Sequence, residues 1–327
     1  MSSQPPYSIT GPILHLVQSI SQKIGQLEAL QLTKPPVQLR RTNRIKSIQA
    51  SLSIEGNTLS TEGVTALLEN RRVLGPKKDI IEVQNAINAY ELLHSLAPHK
   101  KSDLMRAHKA LMTGLLDQPG RYRTTQVGIA KGSQVAHLAP RPHLLPALMK
   151  DLLQYTKRKD ELTLIKSCVF HYELEFIHPF LDGNGRIGRL WQTLILMQEY
   201  PIMAYVPVEQ IILRDQKDYY AALSTSDKEG QSTTFIEFML GCISTSLDDL
   251  LSITNILSTY QTRIELAKEH FGNQKFSRKQ YMLIHKHISP ATASRDLAKA
   301  VKDKILDISG EKRMAVYQYK KSREGKK

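Results

Sequence analysis

The run His178-Pro179-Phe180-Leu181-Asp182-Gly183-Asn184-Gly185-Arg186-Ile187-Gly188-Arg189 brings an imidazole, a carboxylate, a glycine-flanked asparagine and two arginines into one short stretch. It reads in three parts: Phe180 as an aromatic anchor able to pin a loop into a core, a tight Asp-Gly-Asn-Gly turn, and a helix. The helix runs from Arg186 to about Glu199, with Ile187, Leu190, Trp191, Leu194, Ile195 and Met197 near helical spacing. Gly183 and Gly185 permit positive φ and a close backbone approach, and the first helical amides are left free to bind oxygen. Phosphate suits such a helix start. Arg186 and Arg189, three apart, share a helix face and lean toward its N-terminal end, so two guanidinium forks can clamp successive phosphates. Asp182 is a hard oxygen ligand suited to Mg²⁺, which binds through few carboxylates plus substrate phosphates. His178, one short loop away, can take a proton from an attacking hydroxyl as a neutral imidazole. Singly, each of these residues is ordinary; together they point to a triphosphate site.

At these residues the sequence resembles the Fic family, whose signature H-P-F-x-[D/E]-G-N-G-R-x-x-R is matched at every fixed position. The resemblance implies transfer of a nucleoside monophosphate, most often AMP from ATP, onto a Ser, Thr or Tyr hydroxyl of a protein. It implies that His178 is the general base and Asp182 the Mg²⁺ ligand. Gly183, Asn184 and Gly185 would form the anion-holding turn, Arg186 and Arg189 would hold the β- and γ-phosphates, and Ile187 and Gly188 lie within the same cofactor-binding run. The chemistry agrees: attack at the α-phosphorus needs a positioned hydroxyl, a base and charge neutralisation on the leaving pyrophosphate.

A second segment, Ser51-Leu52-Ser53-Ile54-Glu55-Gly56-Asn57, resembles the family's inhibitory motif [S/T]-x-x-x-E-[G/N], with Ser51, Glu55 and Gly56 at matching positions. Residues 39–55 read as a helix stopped by Gly56. Glu55 is expected to pair with Arg189 and keep it from the γ-phosphate. Between the motifs, β-prone runs within residues 124–140, including Val127, turn at Lys131-Gly132 and read as a hairpin. In the family it is a flap that clamps the target by strand pairing. Tyr219 and Tyr220 resemble the family's Y-Y segment at the nucleotide base pocket, Tyr220 being the preferred contact. The family's usual Asn-Arg upstream is replaced by Asp215-Gln216, so nucleotide identity rests on resemblance alone.

The chain has 327 residues, a hydrophobic fraction of 41%, a formal net charge of +14 and two cysteines, Cys168 and Cys242. No long apolar run suggests a membrane span, and the polar, prolyl start suggests no signal peptide, so a cytoplasmic location is expected. Neither cysteine sits in a CxxC pair, which suits a reducing compartment and argues against zinc. Helices are expected near 10–31, 39–55, 60–69, 78–97, 102–115, 143–156, 161–177, 186–199, 216–227 and 232–260, with a break at Lys34-Pro35-Pro36.

Charge concentrates at the end: residues 262–327 hold 17 Lys and Arg against 7 Asp and Glu. Within 277–319, a helix from Ser277 to about His287, a second capped by Ser289-Pro290, and strands at 306–309 and 314–319 around a Lys312-Arg313 tip are similar to a winged helix. Thr292, Ser294, Arg295 and Lys299 would lie on its recognition helix.

The expected fold class is therefore mainly α: a Fic helical core with a β-hairpin flap, plus a small C-terminal winged helix-turn-helix domain of α+β type. The expected division is 1–100 as an N-terminal helical region, 101–261 as the catalytic core and 262–327 as the basic domain and tail. The leading function is a protein adenylyltransferase restrained by Glu55, using ATP and Mg²⁺ on a target protein or on itself. A nucleotide-sensing DNA-binding regulator, removal of AMP from a modified protein, and a homodimer stay open.

Overall fold

The computed structural model describes residues 5–29, 37–131, 134–257, 259–285, 288–310 and 314–320. The chain divides into two compact units: Met1–Glu28 with Thr33–Asp248, and Ala29–Leu32 with Asp249–Lys327. The helices before residue 100, apart from Ala29, thus fall in the same unit as those between 101 and 229, and the second unit begins before the basic stretch does. The break at Lys34-Pro35-Pro36, the Gly132 turn, His287, the Lys312-Arg313 tip and the last residues lie outside the described residues.

The first unit contains α1 (Gly11–Ala29), α2 (Val37–Ile54), α3 (Thr61–Leu68), α4 (Lys77–Leu92), α5 (Lys101–Met112), β1 (Gly128–Lys131) and β2 (Gln134–Leu138). It continues with α6 (Leu145–Tyr155), α7 (Thr163–Ile177), α8 (Asn184–Glu199), α9 (Val208–Arg214) and α10 (Gln216–Glu229), and α11 (Thr233–Leu257) carries the chain across the division. Most of the expected helices are found with ends shifted by a few residues. The helix expected at 78–97 closes instead as α4 followed by a 3-10 turn over Leu93–Ser95. Helix α9 was not foreseen, because seven residues between Pro207 and Asp215 give too few turns for a periodic signal.

Helix α7 is apolar around most of its circumference and is buried at twelve positions, which makes it the central helix. It packs against α8 at Gly188, where an added Cβ would meet the His171 ring at 2.9 Å. Phe170, Leu174 and Ile177 from α7 join Ile187, Leu190, Trp191 and Leu194 from α8 and residues of α2, α4, α5 and α6 in one core. Trp191 also donates its indole N–H to the Pro98 carbonyl at 3.0 Å. These contacts fix the loop between α7 and α8, which carries the signature.

Helix α2 is anchored to the same core by polar contacts unusual for a surface helix. Ser47 donates to the buried Glu209 carboxylate at 2.7 Å, Tyr90 donates to its other oxygen at 2.9 Å, and the Asn43 amide reaches the Tyr205 carbonyl. The hairpin pairs β1 with β2 antiparallel, with a register irregularity between Ile129 and Ala130; its ladder starts at Gly128, leaving Val127 just before it.

The second unit contains α12 (Tyr260–Phe271), β3 (Phe276–Ser277), α13 (Arg278–Ile284), α14 (Pro290–Lys302), β4 (Leu306–Ser309) and β5 (Val316–Tyr319), with antiparallel strand order β3-β5-β4. The helix expected over 232–260 ends at Leu257, and α12 and β3 were not foreseen. Ser277 forms a capping box with Gln280, and Ser289 caps α14 with Pro290 in its first turn. A core of Phe276, Tyr281, Leu297, Ala300, Leu306 and Tyr319 is closed by the buried Arg263–Asp296 pair at 2.7 Å. Lys299 does not project freely: its ammonium lies over the Tyr260 ring, 4.3 Å from the centroid.

Candidate active site

His178 ends α7 in the left-handed region, φ 48°, a conformation a non-glycine residue adopts at a cost of about 1 kcal/mol or more. Arg123 makes the turn hold. Its Nε donates to the His178 carbonyl at 2.7 Å, its other nitrogens to the Thr125 and Pro140 carbonyls, and its backbone amide to the Pro179 carbonyl. One guanidinium thus joins the histidine to both ends of the hairpin. Burial pushes the His178 imidazole down to about 4, against a weaker upward pull from the Glu175 backbone. The ring is therefore neutral at physiological pH, the state a general base requires.

His108 fixes the other half of the loop. Its ring stacks on Phe180 at 3.7 Å between centroids, accepts the Gly120 amide on Nδ1 and donates from Nε2 to the Asp182 carbonyl at 2.9 Å. Accepting at Nδ1 places the proton on Nε2, and burial holds the group down to about 4, so this neutral tautomer persists. Asn184 bonds the Phe180 backbone twice at 2.9 Å, from its Oδ1 and from its Nδ2. Its amide group therefore shapes the turn, and the anion-binding groups on offer are the first backbone amides of α8. Gly183, φ 84°, caps that helix, and a side chain there would strike Met112.

Both arginines of α8 are buried and both are held. Arg189 donates from Nε to the Ser51 hydroxyl at 3.0 Å, and from one terminal nitrogen to the Ser51 carbonyl at 2.9 Å and to Glu55 Oε1 at 2.7 Å. Its side chain is 1% exposed, that of Glu55 30%. Burial works against the Arg189 charge, but Glu55 holds the group above its ordinary value. Arg186 donates to Glu82 Oε1 at 3.0 Å and to Asp182 Oδ1 at 3.1 Å. Glu55 also lies directly over Gly185, where any Cβ would collide with its carboxylate, so the glycine is needed for that seat. Gly56, φ 90°, ends the segment. Ser51, Glu55 and Arg189 therefore meet, the pairing expected from the resemblance.

Other expected contacts fall elsewhere. Ile187 is fully buried in the core and Gly188 faces His171 of α7, so both serve packing and neither offers a side chain to a ligand. Tyr219 is 1% exposed, with its hydroxyl 3.1 Å from His171 Nε2 and its ring beside Phe235 and Phe238. It is a core residue, because the aromatic face of α10 turns inward at that position. Tyr220 is half-buried, its hydroxyl 3.5 Å from the Ile54 carbonyl, beside the end of α2. Gln216 donates to the same carbonyl at 2.9 Å. Val127 is partly exposed at the foot of the hairpin. The sequence reading missed Arg123, His108, Glu82 and Gln216 as site residues. Glu82 had only an i,i+4 lysine partner, Lys78, to suggest a surface pair.

Asp182 suits a magnesium ion. Its side chain is 53% exposed and its Oδ1 already accepts from Gly183 and Arg186, which turns the carboxylate toward the helix start. Among the described residues no group of three or more His, Cys, Asp or Glu could hold a metal by itself. That donor set fits a cation completed by substrate phosphates and water. Both cysteines are buried and free, and no helix among the described residues is long and apolar enough to cross a membrane.

With this geometry in place, comparison with known proteins gives a consistent result. The Fic/DOC family pattern matches residues 98–196. "Protein adenylyltransferase Fic" of Nematostella vectensis is 31% identical over 237 residues, covering 68% of this chain and 52% of that protein. "Protein adenylyltransferase fic-1" of Caenorhabditis elegans is 27% identical over 262 residues, covering 72% of this chain and 49% of that protein. The chain spans about half the length of the curated relatives it matches. The Caenorhabditis elegans Fic-1 structure shares the fold with a TM-score of 0.64 at 20% identity, over 75% of this chain and 74% of that one. A crystal structure of a Fic family protein from Desulfovibrio desulfuricans G20 is similar over 99% of this chain and 100% of that one, at 40% identity and a TM-score of 0.77. A neutral histidine closing α7, two buried arginines opening α8 and this end-to-end likeness agree: the chain belongs to the Fic/DOC family.

Proposed function

We propose that the chain is a protein adenylyltransferase that moves AMP from ATP onto a Ser, Thr or Tyr hydroxyl of a protein, and that Glu55 restrains it. The observation that carries the reading is the pairing of a neutral, geometrically locked His178 with two buried arginines at a helix start. The target hydroxyl gives its proton to His178 as its oxygen bonds to the α-phosphorus. The bond from that phosphorus to the bridging oxygen breaks, and pyrophosphate leaves with its charge on Arg186, Arg189 and the first amides of α8. Asp182 would hold a magnesium ion, which when bound would add to the neutralisation of the phosphates. The hairpin edge offers backbone donors and acceptors to an extended target segment, a mode that asks little of target sequence. A segment of another copy of this chain serves as target equally well.

Glu55 removes one of the two clamps. Its carboxylate occupies the Arg189 fork and places negative charge where a γ-phosphate would sit. A bias of about 1.4 kcal/mol against the competent pose is enough to lower its population tenfold. The test is transfer of labelled α-phosphate from ATP by the unaltered chain, Glu55→Gly and Glu55→Gly/His178→Ala. Strong label in Glu55→Gly, with at least about a hundredfold less in the double variant, supports the reading; comparable label in the double variant, or none in any variant with ATP bound, overturns it. Removal of AMP by a water oriented on Glu55 is the reverse use of the same residues, and release of AMP from the labelled product by the unaltered chain would reveal it.

A second reading concerns residues 277–319. Two capped helices followed by a strand pair, with Arg278, Lys279, Arg295 and Lys302 exposed, support a reading as a winged helix that would meet DNA. Salt-sensitive binding of duplex DNA by the full chain, lost when these cations are replaced, would support it. Two buried free cysteines suit the reducing cytoplasm as the site of action.

A further inference from the structure

We propose that Glu82 is a positioning residue for the phosphate clamp, fixing Arg186 and coupling it through Asn57 to the loop that carries Glu55. The proposal rests on the adenylyltransferase reading for the purpose of the clamp, and on the following contacts for its geometry. Glu82 of α4 and Arg186 of α8 are 6% and 4% exposed at their side chains and meet at 3.0 Å, 104 residues apart in sequence. The second oxygen of the same carboxylate accepts from the Asn57 amide at 2.8 Å. Asn57 is itself fully committed: its amide nitrogen also reaches the Asp79 carbonyl, its Oδ1 accepts the Leu59 amide, and its backbone N–H returns to Leu52. It stands two residues after Glu55. The segment from Ser51 to Asn57 therefore grips both arginines, Arg189 directly and Arg186 through one buried carboxylate.

The direction of the effect follows from what else Arg186 can reach. Its guanidinium is shared between Glu82, buried and fixed from two sides, and Asp182, half-exposed on the loop. Removing the Glu82 charge takes a negative group away from an anion site, which alone would favour phosphate. It also leaves a buried guanidinium with Asp182 as its nearest carboxylate, so the fork swings onto the residue expected to hold the metal, and both are lost to the nucleotide. Lys78 lies 3.9 Å from Glu82 but is exposed and offers Arg186 nothing in exchange. Orientation outweighs the charge gain because a bidentate fork works only when aimed.

The experiment compares binding of ATP, ADP and AMP to the full chain by calorimetry, in a Glu55→Gly background with and without Glu82→Gln. The expected result is a loss of roughly tenfold or more for ATP and ADP with AMP changed less than about twofold, and a KM for ATP that rises more than kcat falls. Asn57→Ser, which keeps a polar group and does not touch Arg186, should give a smaller loss in the same ligand order. Unchanged ADP affinity in Glu82→Gln overturns the proposal, as does an equal loss for all three nucleotides, the mark of a merely structural residue. If Glu82→Gln does not fold, Asn57→Ser decides by the same criterion. Binding is read without transfer, so a chain that binds ATP and ADP as expected but labels nothing would sink the proposed reaction while leaving the role of Glu82 standing.

Discussion

The two units use charge in opposite ways. In the first, Arg186, Arg189, Glu82 and Glu209 are buried, and the carboxylate of Glu55 reaches in to meet one of the arginines. In the second, Arg263 and Asp296 are a closed buried pair, while Arg278, Lys279, Arg295, Lys302 and Lys304 stand in solvent. Burying a charge costs several kcal/mol unless partners meet it, so a buried arginine held by a half-exposed carboxylate implies that another anion has a use for it. A solvent-exposed lysine costs almost nothing and implies little about its role. The first unit therefore carries a specific chemical reading, and the second only a field that any large anion would feel.

The contrast is broken most forcefully at His178. In the Glu55→Gly background, His178→Ala should lower transfer by about 10²–10⁴-fold, the range for a lost general base, measured as initial rate with labelled ATP. A smaller fall would mean that the buried arginines alone carry the rate. Glu55→Gly should itself raise transfer at least about tenfold over the unaltered chain. An unchanged rate would mean that Arg189 is not kept from its phosphate.

Next comes Arg123, whose guanidinium spans four carbonyls around the histidine, those of His178, Thr125, Pro140 and Ile177. Arg123→Met should destabilise the first unit by about 2–4 kcal/mol in denaturant unfolding, since charge-assisted bonds are worth roughly 1.5–3 kcal/mol and leave orphaned carbonyls. It should also lower transfer while leaving ATP affinity intact.

Acid sharpens the same comparison. Burial holds His108, His171 and His178 to about 4, about 3 and about 4. As pH falls below their ordinary value near 6.5, the unfolded chain takes up protons that the folded chain refuses, and stability falls. Glu173, Glu175 and Glu209 oppose this, burial raising all three. Glu173 is pushed up to about 7 and Glu175, with Glu55 nearby, up to about 8, so their contribution is present in full below 4.5 and is lost as pH rises through those values. The three carboxyls take back much of what the three histidines lose, so the net loss below 6.5 should be at most about 1.4 kcal/mol per pH unit. Melting at pH 6.5 and 5.5 measures it. His108, His171 and His178 all lie in the first unit, so the loss should belong to that unit's transition. The smallest effect is expected from Arg295→Ala and Lys302→Ala: exposed changes within about 0.5 kcal/mol of stability, with no change in transfer onto a short peptide.

Much of the first unit was legible because helices write a period into the sequence, and because a loop that binds phosphate needs particular residues close together. The signature at 178–189, the Ser51–Gly56 motif and the caps at Ser277 and Ser289 are all local, and local chemistry survives in a linear string. What the string recorded of α8 and α10 was which residues share a face. It did not record what packs against those faces, so the burial of Ile187 and Tyr219 and the approach of Gly188 to His171 could be read only from the folded chain. Short elements such as α9 and β3 span too few residues to show a period. Tertiary structure alone brought Glu82 to Arg186, His108 to the Asp182 carbonyl and Arg123 to the His178 carbonyl, across 104, 74 and 55 residues. The sequence by itself determined which groups gather at the candidate site; packing determined how they are held, because a side chain's partner across the core leaves no spacing to read.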